Sequence, residues 1–112
     1  MSLYHTSEEL INRTASLLGK FVPGEALGAI EHDTIDRCID SVLAELSKIV
    51  SIDREQIPNQ YFETAARLCA IYAASDFSGV PLDLKAVEQH ERRLHYLVSQ
   101  SPTYETIRVE FF

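Results

Sequence analysis

Asn59–Phe77 reads NQYFETAARLCAIYAASDF, and this stretch decides the fold. Tyr61, Phe62, Ala65, Ala66, Leu68, Cys69, Ile71, Tyr72 and Ala73 leave almost no polar side when wound into a helix. A helix that is apolar nearly all round must be covered by neighbours, and its alanines let those neighbours approach closely. The chain around it should therefore supply helices. Pro58 fits the first turn, where a missing N–H costs nothing, and Ser78-Gly79-Val80-Pro81 ends the helix.

Upstream, residues 51–57 (SIDREQI) read as a short linker. Before it, residues 33–49 form the clearest amphipathic helix. Ile35, Cys38, Ile39, Val42, Leu43, Leu46 and Ile49 recur at three- and four-residue steps and predict one buried face. Asp36, Arg37, Asp40, Glu45 and Lys48 read as its solvated side. Asp33 and Asp36 lie where the positive end of the helix dipole favours carboxylates. A first helix over 7–18 opens with Thr6 and Glu9 in capping-box spacing. Leu10, Ile11, Ala15, Leu17 and Leu18 give it an apolar stripe, and Gly19 is its natural stop. The connector KFVPGEALGAIEHD is broken at Pro23-Gly24, and Phe21 and Ile30 are expected to pin it to the core.

Downstream, residues 83–99 form a fourth helix with Leu84, Val87, Leu94, Leu97 and Val98 inward and Lys85, Glu88, Glu91, Arg92 and Arg93 outward. Ser101-Pro102 stops it. The fold class is all-α: a four-helix bundle over residues 1–102, followed by an extended, strand-like arm over 103–112. In that arm Glu105, Ile107, Val109 and Phe111 alternate with Tyr104, Thr106, Arg108, Glu110 and Phe112. A lone strand needs a partner. One reading adds it to a neighbouring chain, with Tyr104, Ile107, Val109, Phe111 and Phe112 as the partner-binding residues. The other folds it back so that Ile107, Val109 and Phe111 cover the chain's own bundle.

Ten basic and 17 acidic residues give a net charge of −7. That balance argues against gripping nucleic acid, which requires a basic face. No apolar run approaches membrane-spanning length, and the N-terminal residues lack a secretion-signal pattern. Cys38 and Cys69 fall on apolar helix faces and read as buried free thiols rather than a disulfide.

Catalytic and metal motifs fail on spacing. His90 and His95 are five residues apart, whereas a helical zinc pair needs four to share a face; Glu91 and His95 are spaced for a weak surface pair. His32 and Cys38 do not face one another, and nothing lowers the thiol pKa. No glycine loop cradles phosphate. The residues point to no enzyme activity, no cofactor and no metal.

The order of pieces resembles a known family. A first helix closing in LLG, a Pro/Gly connector and HDTIDRCIDSVLAELSKI precede IPNQYFETAARLCAIYAASDFSG, a charged helix and an aromatic tail. This is similar to the head-to-tail adaptor (tail accessory, head completion) proteins of tailed phages, especially short-tailed ones. The most specific part is residues 57–79. The resemblance implies a structural virion protein, made in the host cytoplasm, that forms a ring of roughly twelve copies below the portal. It implies a channel extended for DNA that passes without tight binding, a docking surface for tail proteins, and a C-terminal arm reaching onto the portal. Asp36, Asp40 and Glu45 would then line the channel or remain solvated. The competing reading is a small helical protein-binding or regulatory module that uses its tail to hold a partner.

Overall fold

The computed structural model describes residues 3–20 and 27–100. Their order is β1 (Tyr4–His5), α1 (Ser7–Leu17), α2 (Ala29–Leu46), β2 (Ile57–Pro58), α3 (Asn59–Ser78) and α4 (Leu84–Gln100). The described residues are all-α in class, with four helices and one minimal two-stranded ribbon among them. The arm over 103–112, Phe21 and the Pro23-Gly24 break lie outside the described residues.

Helix α3 is central, as its all-round apolar composition requires: it packs against α1, α2 and α4. Tyr61, Ala65, Ala66, Leu68, Cys69 and Ala73 are all buried along it. Facing them are Leu10, Ile11 and Ala15 of α1 and Ile35, Cys38, Ile39, Val42, Leu43 and Leu46 of α2, with Val87 and Leu94 of α4. The two cysteines are buried and free.

Local signals fix the helix ends. In α1 the Glu9 N–H donates to Thr6 Oγ1 at 3.3 Å and the Thr6 N–H donates to Glu9 Oε1 at 3.0 Å, a complete capping box. Gly19 and Gly79 close α1 and α3 with φ of 73°, a left-handed conformation that glycine adopts without a Cβ clash. Pro58 is the N-cap of α3 rather than its first helical residue. Asp83 plays the corresponding role before α4, where Ala86 N–H donates to its Oδ1 at 3.2 Å.

Three further sequence expectations are corrected. Helix α2 begins at Ala29, four residues before Asp33, so the first-turn carboxylate is Glu31 and not Asp33 or Asp36. Ile30 is 76% exposed and pins nothing; Leu27 is the connector residue packed against the core. Leu84 is 66% exposed because it starts α4 beyond the edge of α3. A short ribbon with no counterpart in the sequence reading precedes α1. Tyr4 and His5 pair antiparallel with Pro58 and Ile57, and the Asn59 N–H donates to the Leu3 carbonyl at 3.0 Å.

The segment read as a linker carries more than connectivity. Asp53 organises a tight turn, its Oδ1 accepting from Glu55 N–H at 2.8 Å and its carbonyl from Gln56 N–H at 3.0 Å. That turn aims Glu55 at the start of α1, where its carboxylate accepts from Ser7 Oγ at 2.7 Å and Ser7 N–H at 3.3 Å. Ile57 is fully buried in the core.

Candidate functional site

In the sequence the acidic side chains Asp36, Asp40 and Glu45 read as one solvated face of α2. At about 100° per residue, Asp36 and Asp40 lie close together, while Glu45, nine residues after Asp36, comes out on the opposite flank. The contacts agree. The Arg54 guanidinium reaches back from the Asp53 turn and donates to both Asp36 and Asp40. Glu45 instead sits 3.6 Å from Lys48, which also lies 3.7 Å from Glu91 of α4. The three therefore form two separate groups, each already facing a cation. Glu91 thus faces Lys48, where the sequence paired it with His95.

Between the Glu45 flank of α2 and α3 lies a polar hollow of about 560 Å³, lined by Thr34, Arg37, Cys38, Ser41, Tyr72 and Asp76. It exists because Thr34, Cys38 and Ser41 share a helix side that borders the core, and α3 turns polar there at Asp76. Cys38 Sγ donates to Asp76 Oδ2 at 3.3 Å. Burial, then the Asp76 carboxylate, pushes the Cys38 thiol up to about 12. A thiol so placed stays protonated near neutrality and is a poor nucleophile. Its sequence neighbour His32 turns away to Glu8, with Nε2 2.7 Å from Oε1. Burial also raises the Cys69 thiol.

A second polar cluster has no counterpart in the sequence pattern. His5 stacks on Phe62 with ring centroids 4.0 Å apart. Its Nδ1 lies 3.0 Å from Glu9 Oε2, and its Nε2 contacts the Asn59 carboxamide oxygen. The Asn59 contact, then Glu9, holds the imidazole protonated above its usual range. A third joins α1 to α3: Arg13 donates Nε and Nη2 to the two Glu63 oxygens at 2.9 and 2.8 Å, and Arg67 reaches the same carboxylate at 3.0 Å. Only a lone His or Arg in the sequence could have signalled these, and such residues carry no period.

Among the described residues no group of three or more His, Cys, Asp or Glu is gathered to hold a metal. Nor is any helix among them long and apolar enough to cross a membrane. Tyr104, Ile107, Val109, Phe111 and Phe112 lie outside the described residues. No family model matches the chain, and neither a curated protein nor a solved structure matches it.

Proposed function

We propose that the chain is a head-to-tail adaptor of a tailed phage: a four-helix bundle, with α4 completing it on α3, that assembles as a ring on the portal. The ring extends the DNA channel and presents a docking surface to tail proteins, in the virion and, during assembly, in the host cytoplasm. The observation that carries this reading is where the resemblance falls. Residues 57–79, its most specific part, are also the stretch on which the domain is built. Ile57 is buried in the core, Pro58 caps α3, α3 touches every other helix, and Gly79 closes it in the left-handed conformation. A structural protein has no other chemistry to encode, so its signature should lie in the element that organises its packing.

The arm residues Tyr104, Ile107, Val109, Phe111 and Phe112 contact the portal or a neighbouring copy. Asp36 and Asp40 are engaged by Arg54 and Glu45 by Lys48. Repulsion of passing DNA then comes from the net charge of −7 rather than from a free acidic stripe. The test is to mix the chain with the portal protein encoded near its gene and follow assembly by size exclusion and chemical cross-linking. A ring-sized complex with cross-links to the portal is expected, weakened by Phe111→Ser with Phe112→Ser. Separate elution with no cross-link between the two proteins would sink the reading.

A further inference from the structure

One carboxylate in the hollow between α2 and α3 lacks a counter-charge. Thr34, Cys38 and Ser41 follow one another at helical steps along one side of α2, and Tyr72 and Asp76 do the same on α3. With Arg37 they line about 560 Å³, open to solvent at Arg37, Ser41 and Asp76. The Asp76 carboxylate accepts from the buried Cys38 thiol at 3.3 Å, through Oδ2. Among the described residues no lysine, arginine or histidine forms an ion pair with it. The Thr34, Ser41 and Tyr72 hydroxyls likewise meet no hydrogen-bond partner among those residues. Arg37, the cation on the wall, lies 3.2 Å from Asp33. Glu45 and Glu91 reinforce the negative field from one end: burial, and then these two carboxylates, hold the Tyr72 phenol above its usual range.

The chemistry of the lining selects a ligand class. A metal ion needs three or more ligands, and the hollow has one carboxylate beside a thiol that stays protonated. An anion meets only Arg37, which is already paired. An organic cation fits. A guanidinium pairs best with both oxygens of a carboxylate in a fork, and here the Cys38 thiol takes one of them. An ammonium is a compact charge with three N–H donors. Asp76 Oδ1, Thr34 Oγ1 and Ser41 Oγ supply matching acceptors. Tyr72 adds a ring whose face attracts a cation within about 6 Å and whose apolar body suits an alkyl chain.

We propose that the α2–α3 hollow is a binding site for a primary alkylammonium group, with Asp76 as its counter-ion, Thr34 and Ser41 as acceptors, and Tyr72 against its alkyl chain. Cys38 is a positioning residue: its thiol holds Oδ2 and leaves Oδ1 to the ligand. The group can arrive on a lysine side chain of another protein or on a free amine, and the chemistry of recognition is the same. Such a site goes beyond the adaptor reading and does not require it.

The test is an amide NMR titration of the full chain with n-butylammonium, alongside n-butanol, butyrate and n-butylguanidinium. Saturable shifts are expected for butylammonium at residues 34–41 and 72–76, with butylguanidinium several-fold weaker and the neutral and anionic probes weaker still. Asp76→Asn should weaken butylammonium binding about ten-fold, whereas Glu88→Gln, at an exposed carboxylate of α4, should change nothing. Cys38→Ala should erase the preference for ammonium over guanidinium, and Cys38→Ser should restore it. A capped peptide with a single lysine and a linear diamine separate the sources. Tighter binding of the peptide assigns the site to a partner's side chain, and tighter binding of the diamine assigns it to a solute. Butylammonium shifts no larger than those with butanol overturn the site, as does equal weakening by Glu88→Gln or indifference to Asp76→Asn. Amine binding without portal binding, or portal binding without amine binding, keeps this site distinct from the adaptor reading.

Discussion

Thr14 is fully buried, and its hydroxyl finds no nitrogen or oxygen partner among the described residues, only the weakly accepting sulfur of Cys69. An unsatisfied buried polar group costs about 1–3 kcal/mol. Thr14→Val keeps the shape and removes the hydroxyl, so it should stabilise the chain by about 1 kcal/mol. Thermal unfolding should then shift upward by roughly 4–8 °C for a domain of this size; a lower midpoint would show that the hydroxyl is satisfied in solution. The opposite sign is expected at Leu68, fully buried on the central helix, where Ala should cost about 2–5 kcal/mol. Leu43 lies at the edge of the core and should fall at the low end of that range. Denaturant titration of both variants checks the order. Both leucines were legible in the sequence because they recur at helical spacing. Ile30 and Leu84 were misplaced because each belongs to a first turn, and a first turn can extend past the neighbour it would pack against.

Periodicity marks helices well, and α1, α3 and α4 appear within a residue or so of where it puts them. It says nothing about the Asp53–Pro58 segment, whose contacts come from single residues: Arg54 to α2, Glu55 to α1, Ile57 to the core. Arg54→Ala would leave Asp36 and Asp40 as neighbouring like charges on α2. The pairs are about a third exposed or more, so the loss is about 1 kcal/mol and should shrink in high salt. A loss unchanged by salt would mean that Arg54 acts through packing. The β1–β2 ribbon is tied by His5, whose two ring nitrogens can donate to Asn59 and Glu9 together only as imidazolium. Its pKa is raised in the folded chain, so this contribution is complete below the ordinary histidine value near 6.5 and is lost as pH rises through the folded value. Hydrogen exchange at the Ile57 and Asn59 amides of the ribbon, corrected for intrinsic rate, should therefore show protection falling from pH 6 to pH 8. His5→Phe, which preserves an aromatic partner for Phe62, should flatten that dependence. Unchanged protection across the range in the unsubstituted chain would refute the tie.

At the scale of the molecule, the fold was written in apolar spacing, whereas the function rests on a likeness in the order of elements. An adaptor of the kind proposed would work by shape and surface and would leave no catalytic signature to read. Charge is the whole-molecule property that links the two. Ten basic side chains stand against 17 acidic ones, and Arg13, Arg37, Lys48, Arg54 and Arg67 are each tied to carboxylates. Lys20 lies over the Phe77 ring, 4.4 Å from its centroid. These six cations are thus engaged within the fold, and the exposed Lys85, Arg92 and Arg93 of α4 are interspersed with Glu88 and Glu91 rather than standing as an unbroken basic stripe that could release counterions from a phosphate backbone. A wall past which DNA slides needs this property, because each favourable phosphate contact would act as a brake. The chain should therefore leave the mobility of duplex DNA unchanged in a gel-shift titration even at low ionic strength, where electrostatic attraction is least screened. Micromolar retardation that disappears on adding salt would show a basic surface at work and would remove the electrostatic basis for a DNA conduit.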